Sequence, residues 1–180
     1  MSDMAESDAT SGYGFKQISV ENLALPDPLV LNMWTREGNE LRPMTADDFV
    51  RPILATQLDE PVPFEVRRAF YFARNAMCYG YWYWPVITLG SQQVLRVADL
   101  ASRTAGEARG LKPHQNFGPR VPQLRAAGII KSEREDRWNL IVRLRNQATH
   151  PEWQQTWGLP QTVDCIAMVA AEIQALRWIA

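Results

Sequence analysis

The sequence predicts an all-α protein: a helical bundle over residues 63–180, preceded by an extension with room for one small β-hairpin. Three observations carry that prediction. Apolar residues at Trp138, Ile141 and Leu144 recur at the three-residue spacing of a helix. Helix punctuation is present at Gly80, Pro85, Gly128 and Pro151. The hydrophobic fraction of 46% in 180 residues suits one core of ordinary size.

Met1 to about Gly14 is rich in Ser, Asp and Gly and reads as a disordered tail. Residues 15–62 form the extension. There, Leu29–Thr35, a turn at Arg36–Asn39, and Glu40–Arg42 fit a hairpin with Gly38 supplying the turn. Such a hairpin is marginal alone and must pack on the helices. Thr45 is placed to cap a helix over Ala46–Leu58, with Asp47 and Asp48 favouring its first turn. Pro61 and Pro63 mark the joint to the bundle.

Phe64–Ala105 reads as one or two long helices, bent or broken near Gly80 and Pro85. Its rings, Phe70 to Phe72 and Tyr79 to Trp84, could stack on bases as single-strand binders do. Rings scattered around a helix instead mark core, or a surface for self-association. A polar connection over Gly106–Asn116 contains His114, read as a solvent-exposed loop residue. A short helix follows around Val121–Ala127, stopped by Gly128. Ser132 with Glu135 has the spacing of a capping box for the next helix, Ser132–Thr149. Trp138, Ile141 and Leu144 form its apolar stripe, widened by Leu140 and Ala148. Pro151 ends it, because the residue before a proline is pushed out of the α region. A last helix runs from Pro160 to the end.

The net charge of −1 conceals an asymmetry. Residues 1–62 carry eleven acids against four bases, whereas residues 103–150 carry ten bases against four acids. A basic segment attracts phosphates. The same bases are also placed to pair with Glu133, Glu135 and Asp136, or with the acidic extension lying over them. Cys78 and Cys165 sit in apolar helical segments and read as free thiols of a reducing, cytoplasmic compartment. Two Cys and two His without ligand-like spacing call for no metal, and no other cofactor is implied. No apolar run reaches 18 residues, so no membrane span is expected.

Arg145 and His150 stand five apart at the end of the predicted helix. With 16 Arg and 2 His in the chain, such a pair arises about 0.2 times by chance, so it counts through its context. Leu144-Arg145-Asn146 followed by His150 and Pro151 resembles the motif of the HEPN family, all-helical domains common in prokaryotic toxins and defence systems. Tyr79–Tyr83 and Val97–Arg103 look like that family's first two helices, with Asp99 where its members more often carry Glu. The resemblance spans roughly residues 63–180. It implies a metal-independent endoribonuclease, a toxin or phage-defence component, whose site is assembled from two copies in a homodimer. RNA is the implied substrate, and an antitoxin or regulatory protein a possible partner.

In that chemistry His150 exchanges protons, since imidazole titrates near neutral pH. Arg145 holds phosphate charge through its fixed fork. Asn146 either hydrogen-bonds phosphate or orients the imidazole, and Arg143, Arg137 and Arg134 line the cleft. One His does not serve easily as both base and acid, so the twin supplies the second. The alternative is a non-catalytic HEPN-like module that binds a protein or a nucleotide. Its Arg and His would then only stabilise a helix end.

Overall fold

The computed structural model describes residues 15–148 and 157–178. Among them are seven α-helices and one two-stranded sheet. The order is α1 (Pro28–Leu31), β1 (Trp34–Glu37), β2 (Glu40–Pro43), α2 (Ala46–Leu54), α3 (Phe64–Cys78), α4 (Pro85–Glu107), α5 (Phe117–Ala126), α6 (Glu135–Gln147) and α7 (Leu159–Gln174). The chain is therefore all-α with a small N-terminal hairpin, and no strand follows Pro43 among the described residues.

The hairpin begins later than the sequence suggested. Pro28–Leu31 is a helical turn, because Asp27 caps it: Leu29 N–H donates to its carboxylate at 3.0 Å, and Pro28 takes the first helical position. The strands pair antiparallel, Trp34 opposite Pro43 and Glu37 opposite Glu40, across a two-residue turn in which Gly38 adopts φ +60°. Thr45 and Asp48 form a complete capping box for α2. Arg42 and Thr45 hold the Asp48 carboxyl well below the usual carboxylate range. The helix ends at Leu54, four residues short of the expected Leu58.

α3 and α4 form the central antiparallel pair, joined by a 3₁₀ turn at Tyr79–Tyr81 where Gly80 and Pro85 predicted a break. Gly90 of α4 faces α3 so closely that an added Cβ would lie 3.1 Å from both the Ala73 carbonyl and the Met77 nitrogen. α7 packs on α4 and on α2, while α5 and α6 pack on the C-terminal half of α4. One apolar core runs from Val30, Phe49 and Ile53 of the extension through Phe70, Met77, Val94 and Ala98 to Trp138, Ile141 and Ile166.

α5 begins at Phe117, earlier than expected, and ends where predicted. Gly128 (φ +69°) lets Gly128 N–H donate to Arg125 O and Ile129 N–H to Leu124 O, closing the helix. The capping box expected of Ser132 and Glu135 is absent. Residues 132–134 make a 3₁₀ turn, and the Glu135 carboxylate reaches Arg125 at 3.0 Å instead of turning back to the chain. Along α6, Trp138, Ile141 and Val142 are buried, whereas Leu140, expected in the stripe, is exposed. The aromatic cluster divides: Phe70 and Trp84 are core, while Phe72 and Tyr79 stand out in solvent.

Gly90→Ala tests the α3–α4 contact. Alanine gains about 1 kcal/mol in helix propensity, but overpacking against main-chain atoms costs about 1–3 kcal/mol. A net fall in Tm of several degrees is expected in thermal unfolding; a rise would show that the helices can move apart freely.

Candidate functional site

Three helices converge on one carboxylate. Asp99 lies on α4, half-buried, between Arg120 of α5 and Arg145 in the last turn of α6. The helix directions make this meeting possible. α5 and α6 run antiparallel, with Arg125 paired to Glu135 at one end and Gly118 facing Val142 toward the other. Phe117 meets Trp138 edge-to-face, ring centres 6.2 Å apart. α6 therefore carries Arg145 up to the level of Asp99.

The two arginines are held very differently. Arg120 is 0% exposed, and each of its nitrogens is engaged. Its Nε donates to His114 O at 2.8 Å and its Nη2 to Gln115 O at 2.7 Å. Its Nη1 donates to Asp99 Oδ1 at 2.5 Å, Asp99 O at 2.9 Å and Ser102 Oγ at 2.9 Å. A guanidinium is removed from water at this depth only when it is so fully bonded. Arg145, by contrast, keeps about a third of its side chain exposed, at 34%. Its Nη2 reaches Asp99 Oδ2 at 3.4 Å and its Nη1 reaches Asn146 Oδ1 at 3.3 Å, both long. Its Nε is buried with no acceptor among the described residues. Buried donors are rarely left unpaired in proteins; the Nε of Arg67 on α3 is the other such guanidinium nitrogen among the described residues.

The other arginines expected at the site take separate places. Arg143 is exposed on α6. Arg134 and Arg137 both pair with Glu172 of α7, through its Oε1 at 2.9 and 3.3 Å. Glu172 is fully buried and its second oxygen has no partner among the described residues. Arg134 stands eleven residues before Arg145, about 16 Å along a helix. His150 and Pro151 lie outside the described residues, as do residues 1–14. Asn146 is exposed beside Arg145.

Among the described residues, the acids of the extension make no ion pair with the basic segment. Its acids pair close to home: Glu37 and Asp48 with Arg42, Asp47 with Arg51, and Glu60 with Arg67. α2 packs on α3 and α7, away from the end of α6. His114 is exposed, as read from the sequence, with its Nδ1 accepting from Asn116 N–H at 3.1 Å. Both cysteines are free, and burial pushes the Cys165 thiol up to about 12. Among the described residues no group of three or more His, Cys, Asp or Glu is arranged to hold a metal, and no helix is long and apolar enough to cross a membrane.

Sequence reasoning noticed Asp99 only through the HEPN resemblance and passed over Arg120 and Glu172. Nothing local marks them: Arg120 and Asp99 are 21 residues apart, and Arg134 and Glu172 are 38 apart. The two arginines at Asp99 should separate cleanly in thermal unfolding. Arg120→Ala leaves stranded carbonyls and a carboxylate without its main partner, a loss of about 3–5 kcal/mol, or about 6–20 °C in Tm for a chain of this size. Arg145→Ala removes one long, partly exposed contact worth less than about 1 kcal/mol. Equal losses would make Arg145 a structural helix end.

Set against known proteins, the chain matches no family model, no curated protein and no solved structure.

Proposed function

We propose that this protein is a metal-independent endoribonuclease of HEPN type, acting as a homodimer whose composite site uses Arg145 and His150, and serving as a toxin or phage-defence component. The observation that carries the reading is the under-bonded guanidinium of Arg145. Asp99 orients it, yet among the described residues its Nε–H has no acceptor and its other contacts are long. Arg120, on the same carboxylate, has nothing to spare. A phosphate or phosphorane offers the two oxygens that the Arg145 fork lacks.

The chemistry follows from the motif. One imidazole takes the 2′-hydroxyl proton as the 2′-oxygen attacks phosphorus. Arg145 holds the negative charge that builds on the phosphorane oxygens. A second imidazole, His150 of the twin, delivers a proton to the departing 5′-oxygen. A cyclic phosphate and a free 5′-hydroxyl result. Asn146, which meets Arg145 through its Oδ1, steadies the fork. Arg143 is the exposed base on the same helix and adds phosphate attraction.

A second reading has one observation in its favour. Three of the four arginines on this stretch already face carboxylates, Arg134 and Arg137 on Glu172 and Arg145 on Asp99. That weakens the field a polyanion would meet and suits a non-catalytic module that binds a partner protein or a nucleotide.

Labelled RNA incubated with pure protein in EDTA decides between them. Cleavage is expected, with His150→Ala lowering the rate about 10²–10⁴-fold and Arg145→Ala about 10²–10³-fold. Arg145→Lys should restore little, because an ammonium cannot reproduce the fork. Light scattering should give a dimer wherever cleavage occurs. RNA cut at the wild-type rate by both alanine variants, or no cutting at all, would leave the partner module standing.

A further inference from the structure

We infer that Arg120 is a positioning residue of this site: by taking the larger share of Asp99, it keeps Arg145 oriented but only partly neutralised, and so free for a phosphate. The inference rests on the reading of Arg145 as a phosphate-binding group and adds to it a residue remote from the RNA.

Charge arithmetic is the first argument. Asp99 is the one carboxylate with an ion pair to either Arg120 or Arg145 among the described residues, so two permanent cations share a single anion. The distances show how it is shared. Asp99 Oδ1 sits 2.5 Å from the buried Arg120, and Oδ2 sits 3.4 Å from Arg145. The surplus positive charge therefore resides on the arginine that reaches solvent.

Rigidity is the second. Arg120 binds both the side chain and the main-chain carbonyl of Asp99. Ser102 closes the ring, donating to Asp99 O at 2.8 Å while accepting from Arg120. The opposite side of Arg120 grips the connection before α5 at His114 and Gln115. That connection is itself pinned by Gln123, which accepts from His114 N–H at 2.8 Å and donates to Lys112 O at 3.0 Å. Asp99 is thus prevented from rotating toward Arg145 to form the bidentate pair that would occupy both edges of its fork. Remove the Arg120 charge, and the carboxylate is released to close on Arg145 and quench it.

The test uses a 2′-O-methyl oligoribonucleotide, which binds but offers no 2′-hydroxyl for cleavage. Arg120→Gln should weaken its binding about tenfold. Adding Asp99→Asn to that variant removes the quenching charge while leaving an amide oxygen to orient Arg145, and should recover most of the lost affinity. A role for Arg120 in stability alone predicts no such recovery. Full-strength binding by a folded Arg120→Gln protein, or a double variant that binds no better than the single one, would overturn the inference. Should either variant fail to fold, the wild-type protein carries the test through the ¹⁵N signals of its arginine side chains. On addition of the oligonucleotide the Arg145 Nε–H signal should shift while that of Arg120 stays still. Movement of Arg120, or stillness of both, would overturn the inference. Binding of the methylated RNA without cleavage of ordinary RNA would refute the ribonuclease reading alone, since the binding measurements judge Arg120 separately.

Discussion

A guanidinium withdrawn wholly from water is the constraint around which the C-terminal half of this protein is arranged. Burying Arg120 would cost several kcal/mol if any of its donors were left unmet. Meeting them requires one carboxylate, one hydroxyl and three carbonyls at fixed places. Those acceptors come from α4 and from the connection before α5, so the residue dictates where α5 lies and how the connection folds back. α6 is then packed against α5 through Phe117 and Trp138, and Arg145 arrives at the free oxygen of Asp99. The candidate site is in this sense a by-product of satisfying a structural charge.

The same device recurs elsewhere in the fold. Lys16 is buried and donates to the carbonyls of Leu25 at 2.7 Å and Trp82 at 3.1 Å. Asp27 is fully buried, caps α1 with one oxygen and accepts from Trp84 N–H at 2.9 Å with the other. Between them these two side chains tie the start of the extension to the turn joining α3 and α4. Few apolar contacts help there: Ile18, Val20, Leu23 and Leu25 are exposed, and Val30 is the deep anchor. An element with so little buried surface is oriented by directional bonds, because the hydrophobic effect has no direction of its own.

Much of the helical architecture was legible because its signals are local. The spacing of Trp138 and Ile141, the break at Gly80 and Pro85, and the left-handed turn at Gly128 each act within a few residues of where they are written. Where reading went astray, a distant partner had claimed a local group. Glu135 had the spacing to close a capping box on Ser132, but Arg125 holds its carboxylate. The run from Leu29 has the composition of a strand, yet Asp27 and Pro28 start a helical turn there. Arg145 stood out through its spacing to His150, which lies beyond the described residues, whereas Arg120 looked like one basic residue among ten. Its burial depends on an aspartate 21 positions away, and no periodicity encodes that.

Which arginines remain available to an anion is therefore settled by carboxylates, not by the count of bases. Glu172 draws Arg134 and Arg137 to α7. Asp99 is offered to two arginines and satisfies one of them far better. Of the four basic residues on this stretch, the pairing leaves Arg143 exposed and Arg145 oriented but under-bonded. Net charge over residues 103–150 predicts a broad attraction for phosphate. Pairing thins that attraction unevenly: Arg125, Arg134 and Arg137 are tied to carboxylates, Arg143 stays exposed, and Arg145 at the end of α6 is oriented but under-bonded.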